Sequence, residues 1–343
     1  MKNRKYRYCL IAFASMLVMA CSTKKTYKIS SPEKISELVF ELTPSGQPQY
    51  SFSSNGKSVI EPSLMGFEFQ GLAKMTEGFE VVSTEEKSAD QTWEQPWGEF
   101  KKVRDHHNEL IVHLKEAKGE ERLVDIIFRV FDDGVGFRYE FPKQPHLGKV
   151  KISNEVTQFT FKDNNEVWWI PVHRENSYYE SEYRKTLMSK TDTINTPATF
   201  ETKDKLYVAI HEANLTDFAS MTLLKTTDKQ YKSDLVPWAD GVKVYAETPF
   251  KTPWRTIVVG KTPGDVATST IMLNLNEPSK IEDLSWITPS KYIGIWWGMH
   301  LEKYTWGQGP KHGATTKNTK EYIDFAAKNG FDGVLVEGWN EGW

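Results

Sequence analysis

A strand–helix–strand pattern in residues 291–343 is the feature that most constrains the fold. Residues 292–297 form a short apolar run without polar alternation, which is typical of a strand covered on both faces. Apolar side chains then recur at helical spacing between 318 and 329, and Gly330 follows as a stop signal. A second apolar run covers 333–339. This order predicts two parallel strands joined by a helix, as at the start of a (β/α)8 barrel.

Barrel enzymes place their chemistry at the C-terminal ends of the strands, and Trp297 and Glu337 come at those ends. Glu337 is therefore a candidate substrate contact. Trp297 is a candidate sugar platform, although packing is an equal alternative for this residue. A barrel needs eight strands and this sequence supplies two, so we expect a truncated barrel. Glu341 follows Glu337 closely, but we do not assign these two carboxylates as a catalytic pair.

The sequence pattern of residues 31–289 is typical of antiparallel strands. Short runs rich in Val, Ile, Phe and Tyr alternate with turn signals. Asn55 and Gly56 predict a tight hairpin turn, and residues 132–134 predict another. Many short strands without a long helix favour a two-sheet sandwich. The expected fold class is mostly β: a large antiparallel β-sandwich followed by the truncated start of a (β/α)8 barrel.

The N-terminus has the pattern of an export signal. A basic segment precedes an apolar run over residues 9–20, which is too short to span a bilayer as a stable helix. Residues 17–21 resemble a bacterial lipobox, which predicts cleavage before Cys21 and lipidation of that residue. Ordinary secretion with cleavage nearby is the alternative. We expect an exported protein, periplasmic or anchored to the outer membrane of a Gram-negative bacterium, with membrane contact through the lipid anchor only.

The expected divisions of the chain are a lipoprotein signal peptide (1–21), a tether (22–30), a β-sandwich (31–289) and the barrel start (290–343).

Net charge and aromatic content indicate which kinds of molecule the protein could bind. The formal net charge is −3, and the basic residues past the signal form no long tract, so nucleic acid is not an expected partner. Twelve Trp residues and an aromatic content of 13% suit sugar-binding surfaces, but large sandwich cores also use aromatic residues.

Several motifs, in order along the chain, resemble glycoside hydrolase family 97, the α-glucosidases and α-galactosidases of Bacteroides-type starch and glycan utilisation. The matching segments are WEQPWG (93–98), NTP (195–197), HEA (211–213), VPW (236–238), TPWRT (252–256), LNLNEP (273–278), Trp296 with Trp297, YIDFAA (322–327) and VLVEGWNEGW (334–343). The resemblance therefore spans nearly the whole chain after the signal.

The resemblance implies an oligosaccharide substrate and a calcium ion (Ca2+) that assists hydrolysis of α-glucosides or α-galactosides. The resemblance also implies that Glu212, in the sandwich domain, contributes one calcium ligand to the active site. Its position after a predicted strand equally suits an ordinary hydrogen-bonded carboxylate. Calcium takes six to eight oxygen ligands, so the others would come from beyond residue 343. The catalytic acid and the base or nucleophile would also lie there, which leaves inverting and retaining mechanisms open and predicts that this fragment is inactive.

Lys232, Ser233 and Asp234 precede the VPW motif. The family resemblance places substrate near this stretch, and polar side chains in a loop would suit sugar hydroxyls; an ordinary solvated loop is the alternative. Two rival functions remain from other classes: a carbohydrate-binding surface lipoprotein module without catalysis, and a structural surface lipoprotein without a ligand.

Overall fold

The computed structural model describes residues 25–172 and 180–337. These residues form two compact units. The first comprises residues 25–93 and Lys102–Glu277, and the second comprises Glu94–Lys101 and residues 278–337. The first unit therefore ends at Glu277, before the boundary expected near residue 289. In the part of the chain that is described, no helix is long and apolar enough to cross a membrane.

The first unit is built almost entirely of strands. In chain order they are β1 (Thr26–Ser30), β2 (Ser36–Leu42), β3 (Pro48–Ser54), β4 (Lys57–Leu64), β5 (Phe67–Phe69), β6 (Phe79–Glu94), β7 (Lys102–Glu116), β8 (Leu123–Phe131), β9 (Gly134–Phe141), β10 (Lys149–Glu155), β11 (Gln158–Thr160), β12 (Glu166–Trp169), β13 (Arg184–Leu187), β14 (Thr193–Asn195), β15 (Ala198–Glu201), β16 (Tyr207–Ala213), β17 (Met221–Thr227), β18 (Gln230–Leu235), β19 (Val244–Glu247), β20 (Phe250–Lys251) and β21 (Trp254–Gly260). Two short helices follow, α1 (Pro263–Ala267) and α2 (Ile271–Asn274), and a 3-10 turn lies at Met188–Lys190.

Three sheets organise these strands. An eight-stranded sheet has the order β1-β2-β3-β4-β11-β18-β17-β14. A ten-stranded sheet has the order β13-β12-β15-β16-β21-β9-β8-β7-β6, with β20 beside β9. A smaller sheet has the order β19-β10-β5. Neighbouring strands in all three run antiparallel, so the predicted antiparallel sandwich is confirmed.

The core lies between the two large sheets. Side chains of β3 alternate between buried and half-buried, as expected of a strand with one face turned inward. Phe40 of one sheet meets Phe128 of the other with ring centroids 5.9 Å apart, and Tyr50 meets Phe137 at 4.8 Å. Because these large rings leave water together, their burial supplies much of the driving force for joining the sheets.

Both predicted hairpins are confirmed. Asn55 and Gly56 join β3 to β4 with φ angles of 52° and 71°, the left-handed pair that a two-residue type I′ turn requires. The second hairpin joins β8 to β9, whose first residue is Gly134. A Cβ atom on Gly134 would lie 2.2 Å from the carbonyl oxygen of Ile257. This glycine therefore lets the backbones of β9 and β21 approach closely.

Strand β21 carries side chains to opposite faces of the ten-stranded sheet. Trp254 lies in the smaller apolar cluster with Ile271 and Leu275 of the α2 region. The guanidinium groups of Arg129 and Arg138 lie 4.9 and 4.4 Å from the Trp254 ring, within the range of a cation–π contact. The next residue, Arg255, points to the other face and is fully buried. This alternation places Arg255 at the candidate site.

The second unit contains the predicted strand–helix–strand element. Its elements are β22 (Tyr292–Gly294), α3 (Trp297–His300), α4 (Thr316–Lys328) and β23 (Gly333–Leu335). Strands β22 and β23 pair in parallel, with Ile293 opposite Val334. Helix α4 begins after the capping residue Thr315, whose hydroxyl accepts from the Asn318 N–H. Gly330 follows with a φ of 71°. The expected helix and the parallel pairing are confirmed.

Two boundary predictions are wrong. The strand expected over 292–297 ends at Gly294, because the Trp296 ring folds back onto Gly294, whose missing side chain leaves room for the indole. Trp297 consequently lies in α3 and not in a strand.

The segment 22–30 was expected to be a tether, but Thr26–Ser30 forms β1 and pairs with β2. Alternating side chains, with Ile29 buried, make this segment part of the sheet.

Candidate functional site

Glu212 lies within β16 and not after it, which corrects the sequence-based placement. Its cross-strand partner on β21 is Arg255. Only 8% of Glu212 is exposed. One carboxylate oxygen accepts a hydrogen bond from the Met221 backbone N–H at 2.9 Å, and the other accepts from Arg255 Nη1 at 2.7 Å. The two donors come from β17 of the eight-stranded sheet and from β21, which neighbours β16.

Arg255 joins Glu212 to a second buried carboxylate, that of Glu155. Its Nε donates to one Glu155 oxygen at 2.9 Å, and its Nη2 donates to the other. The side chains of Arg255 and Glu155 are both fully buried. This fork-shaped contact is the bidentate geometry that guanidinium groups favour with carboxylates. The result is a buried triad, Glu155–Arg255–Glu212, with one cation between two anions.

Hydroxyl groups extend the triad into the core. The Thr157 hydroxyl donates to Glu155 Oε1 at 2.8 Å, and the Tyr139 hydroxyl in turn donates to the Thr157 oxygen at 2.7 Å. Because Glu155 ends β10 while Tyr139, Glu212 and Arg255 belong to the ten-stranded sheet, this network links two sheets. A buried polar network of this kind is stabilising only when each member has a partner.

Burial and the mutual attraction of the charges shift the pKa values of the triad in opposite directions. Burial raises the pKa of the Glu212 carboxyl, and the attraction of Arg255 offsets this only in part. Burial acts to lower the pKa of the Arg255 guanidinium, but the charges of Glu155 and Glu212 outweigh it, so that pKa is raised. With two carboxylates and one guanidinium, the triad carries one uncompensated negative charge when all three groups are ionised.

This charge makes Glu212 a suitable single ligand for a hard cation, since carboxylate oxygens are the ligands that calcium prefers. In residues 25–172 and 180–337, no group of three or more His, Cys, Asp or Glu side chains is placed to hold a metal ion. Glu212 could supply one ligand to a calcium ion, and the described residues do not complete a calcium site.

His211 points to the opposite side of β16 from Glu212. The Thr196 hydroxyl donates to the Met221 carbonyl at 3.2 Å, and its oxygen accepts from His211 Nδ1 at 3.0 Å. Burial lowers the pKa of the His211 ring. These contacts describe a partly buried, hydrogen-bonded histidine.

The prediction of a polar loop at Lys232, Ser233 and Asp234 is wrong, because all three lie in strand β18. Ser233 is fully buried, and its hydroxyl has no hydrogen-bond partner among the residues that the structure describes. Asp234 pairs with Lys243 at 3.2 Å. Strand β18 belongs to the eight-stranded sheet and Glu212 to the ten-stranded sheet. The connection between them runs through Met221, which donates to Glu212 and is the cross-strand partner of Leu235 in β18.

An open cleft of about 470 Å³ lies beside this part of the first unit. Its lining includes Phe218, Trp238 and Tyr245. Trp238, from the VPW motif, is 65% exposed, and the Phe218 ring lies 6.0 Å from the Arg255 guanidinium. The cleft thus combines flat aromatic surfaces with charged neighbours and borders the triad through Phe218.

The remaining predicted site residues lie in the second unit or outside the described residues. Trp297 is exposed and contacts Trp296 edge-on at 5.4 Å. Glu337 is exposed and comes two residues after β23, so it follows the C-terminal end of a parallel strand as expected. Trp297 follows the neighbouring strand β22 in the same way. The predicted lipidation site Cys21 lies outside the described residues, as does Glu341.

Arg255 and Glu155 are functional candidates that sequence reasoning missed. In the sequence, Arg255 belongs to the TPWRT motif and Glu155 belongs to none of the matching segments. They are 100 residues apart in the chain, so no local spacing joins them. A usable signal was available for Arg255: an arginine inside the apolar run 254–259 must either face solvent or find a buried anion.

Comparison with known proteins covers both units. A model described as Glycosyl-hydrolase 97 N-terminal matches residues 29–278, and one described as Glycoside hydrolase 97 matches residues 296–343. A retaining alpha-galactosidase of Bacteroides thetaiotaomicron is 23% identical over 96% of this chain and 52% of its own length. A probable retaining alpha-galactosidase of Streptomyces bingchenggensis is 28% identical over 84% of this chain and 42% of its own length.

Among solved structures, a glycoside hydrolase family 97 enzyme from Pseudoalteromonas sp. strain K8, in complex with panose, superposes with a TM-score of 0.87 at 44% identity. The match covers 92% of this chain and 48% of that enzyme. The chain thus spans about half the length of the relatives that it matches. Because the N-terminal family model alone covers most of the sequence, the chain belongs to glycoside hydrolase family 97.

Proposed function

We propose that this chain is the N-terminal part of an exported glycoside hydrolase that cleaves α-glycosidic bonds in oligosaccharides. The observation that carries the proposal is the match to the Pseudoalteromonas enzyme, which covers 92% of this chain at 44% identity. Trp297 and Glu337 support it, because they follow two adjacent parallel strands at the ends where barrel enzymes bind substrate.

The substrate class that we propose is α-glucosides. The relative with 44% identity has been crystallised with panose and with acarbose, whereas the proteins named as α-galactosidases are 23% and 28% identical. Panose is a trisaccharide of α-linked glucose units. Galactosides remain the second substrate class to test, since the name of those relatives points to them.

We propose further that calcium assists the reaction and that Glu212 supplies one of its ligands. Bound there, the ion would act as a Lewis acid or polarise a carboxylate or water. The support is the buried negative triad, which favours a cation at Glu212. The other ligands and the catalytic acid and base would come from residues outside this chain. On this proposal, the 343-residue chain does not hydrolyse glycosides by itself.

The test uses the full-length protein that contains this chain, together with the chain itself. Both are purified and assayed with aryl α-glucoside and aryl α-galactoside, in calcium and in a chelator. The proposal predicts turnover of the α-glucoside by the full-length protein, weaker turnover in the chelator, and none by residues 22–343. Binding of oligosaccharide without turnover by the full-length protein would instead support a carbohydrate-binding module.

The cellular location is a separate proposal. The lipobox at 17–21 supports lipidation of Cys21 and anchoring to the outer membrane. Labelling cells with a radioactive fatty acid should mark the protein, and Cys21→Ala should abolish the label. Label that persists in the Cys21→Ala variant would overturn the anchor.

A further inference from the structure

Both oxygens of the Glu212 carboxylate are held by groups that cannot easily move. The Met221 N–H belongs to the backbone of β17. The Arg255 Nη1 comes from the adjacent strand β21, at 2.7 Å. A carboxylate that accepts from two directions has one favoured orientation, so its remaining lone pairs point in fixed directions.

Arg255 is itself held in place by Glu155. Two of its nitrogens, Nε and Nη2, engage the two Glu155 oxygens, which leaves Nη1 for Glu212. Glu155 is fixed in turn by the Thr157 hydroxyl at 2.8 Å. A lysine cannot reproduce this arrangement, because a single ammonium group cannot present a planar fork to one carboxylate and a third donor to another.

The net charge of the Glu155–Arg255–Glu212 triad also favours a cation at Glu212. Glu155, Arg255 and Glu212 are shielded from water, and their charges sum to one negative charge when ionised. Charges in such surroundings interact more strongly than at the surface. The single positive charge of Arg255 balances only one of the two carboxylates, so the Glu155–Arg255–Glu212 triad keeps one negative charge.

We propose that Arg255, clamped by Glu155, is a positioning residue that fixes the Glu212 carboxylate for a divalent cation. This inference rests on the proposed function, which places that cation at Glu212. Glu155 and Arg255 do not bind the cation on this account. They set the orientation and charge of the group that does.

The chain offers a matched control in Arg122, which makes the same kind of buried fork with Glu116. Its Nε and Nη2 lie 2.7 and 2.6 Å from the two Glu116 oxygens, and both residues are buried. Arg122→Lys therefore disrupts a comparable buried ion pair that does not involve Glu212. It shows how much the loss of such a pair by itself changes stability and calcium affinity.

The experiment measures calcium affinity by isothermal titration calorimetry on the full-length protein. The variants are Glu212→Gln, Arg255→Lys, Glu155→Gln and Arg122→Lys, each checked for folding by circular dichroism. We expect Arg255→Lys and Glu155→Gln to weaken calcium binding by at least about 10-fold, the lower end of the effect of residues that orient metal ligands. Arg122→Lys should lower the melting temperature but leave calcium affinity unchanged.

The outcomes separate the two proposals. If Glu212→Gln does not weaken calcium binding, the proposed calcium role of Glu212 fails. If Glu212→Gln abolishes binding while Arg255→Lys and Glu155→Gln keep wild-type affinity, only the positioning role fails. Glu155→Gln preserves the size and hydrogen-bonding reach of its side chain, so it decides the matter if Arg255→Lys does not fold.

Discussion

Arg255 and Glu212 are cross-strand partners on β21 and β16, and their side chains join at 2.7 Å in the interior of the sandwich. The same guanidinium binds Glu155 with its other nitrogens. Two buried carboxylates from two sheets thus share one arginine for their charge balance.

Removing that arginine should strongly destabilise the protein. Arg255→Met leaves two buried carboxylates without their cation, and breaking a buried ion pair from one side costs about 3–5 kcal/mol. We expect a loss of that size in the free energy of unfolding measured in urea. The control is Arg104→Met, which removes an exposed pair with Asp90 and should change stability little. Equal losses in the two variants would contradict the role of burial.

The sequence could predict the local parts of this fold but not the triad. The turn at Asn55 and Gly56 depends on neighbouring residues, as does the helix that ends before Gly330, and both were found. Arg255 meets Glu155 across 100 residues and Glu212 across 43. Such pairs depend on which strands become neighbours, and local sequence patterns do not reveal that.

The polar stretch at 232–234 was misread for a related reason. Tyr231, Ser233 and Leu235 alternate toward the interior, while Lys232 and Asp234 lie on the other face of β18. The buried Ser233 interrupts the apolar half of this pattern, so the segment has too few hydrophobic residues to be recognised as a strand. Burial of a serine is decided by tertiary packing, which overrides local polarity.

Gly136 should be intolerant of even a methyl group. A Cβ at this position in β9 would lie 2.4 Å from a methyl carbon of Leu275. We expect Gly136→Ala to lower the free energy of unfolding by about 1–3 kcal/mol, as overpacking typically does. Gly148→Ala is the control, since nothing lies within 4 Å of its added Cβ.

A second substitution tests the cause of that loss. Leu275→Val shortens the opposing side chain, so the double variant with Gly136→Ala should lose less stability than the sum of the two single changes. Strict additivity would show that the contact with Leu275 is not the source of the strain.

Asp133 should make stability depend on pH. Burial raises the pKa of its carboxyl, although the Ser269 hydroxyl donates to it at 2.7 Å and opposes this effect. A raised pKa in the folded state contributes stability below the unfolded value of about 3.9, and this contribution is lost as pH rises through the folded pKa. Relative to Asp133→Asn, the wild type should therefore lose unfolding free energy as pH rises from about 4 through the raised folded pKa.

The measurement is urea unfolding of both proteins across that pH range. Asp228→Asn removes an exposed carboxylate from a different turn and shows how much of the slope comes from net charge alone. A difference between wild type and Asp133→Asn that stays constant, or that grows in favour of the wild type with rising pH, would contradict the account of Asp133.

The most direct test of the central claim is release of glucose from panose by the full-length protein in calcium, compared with its Glu212→Gln variant. The account predicts steady glucose release by the wild type and a rate lower by about 100-fold in the variant, the scale expected when a group that serves a metal site is removed. A wild-type protein that releases no sugar from panose or from any α-glucoside or α-galactoside would contradict it, and so would a Glu212→Gln variant with the full wild-type rate.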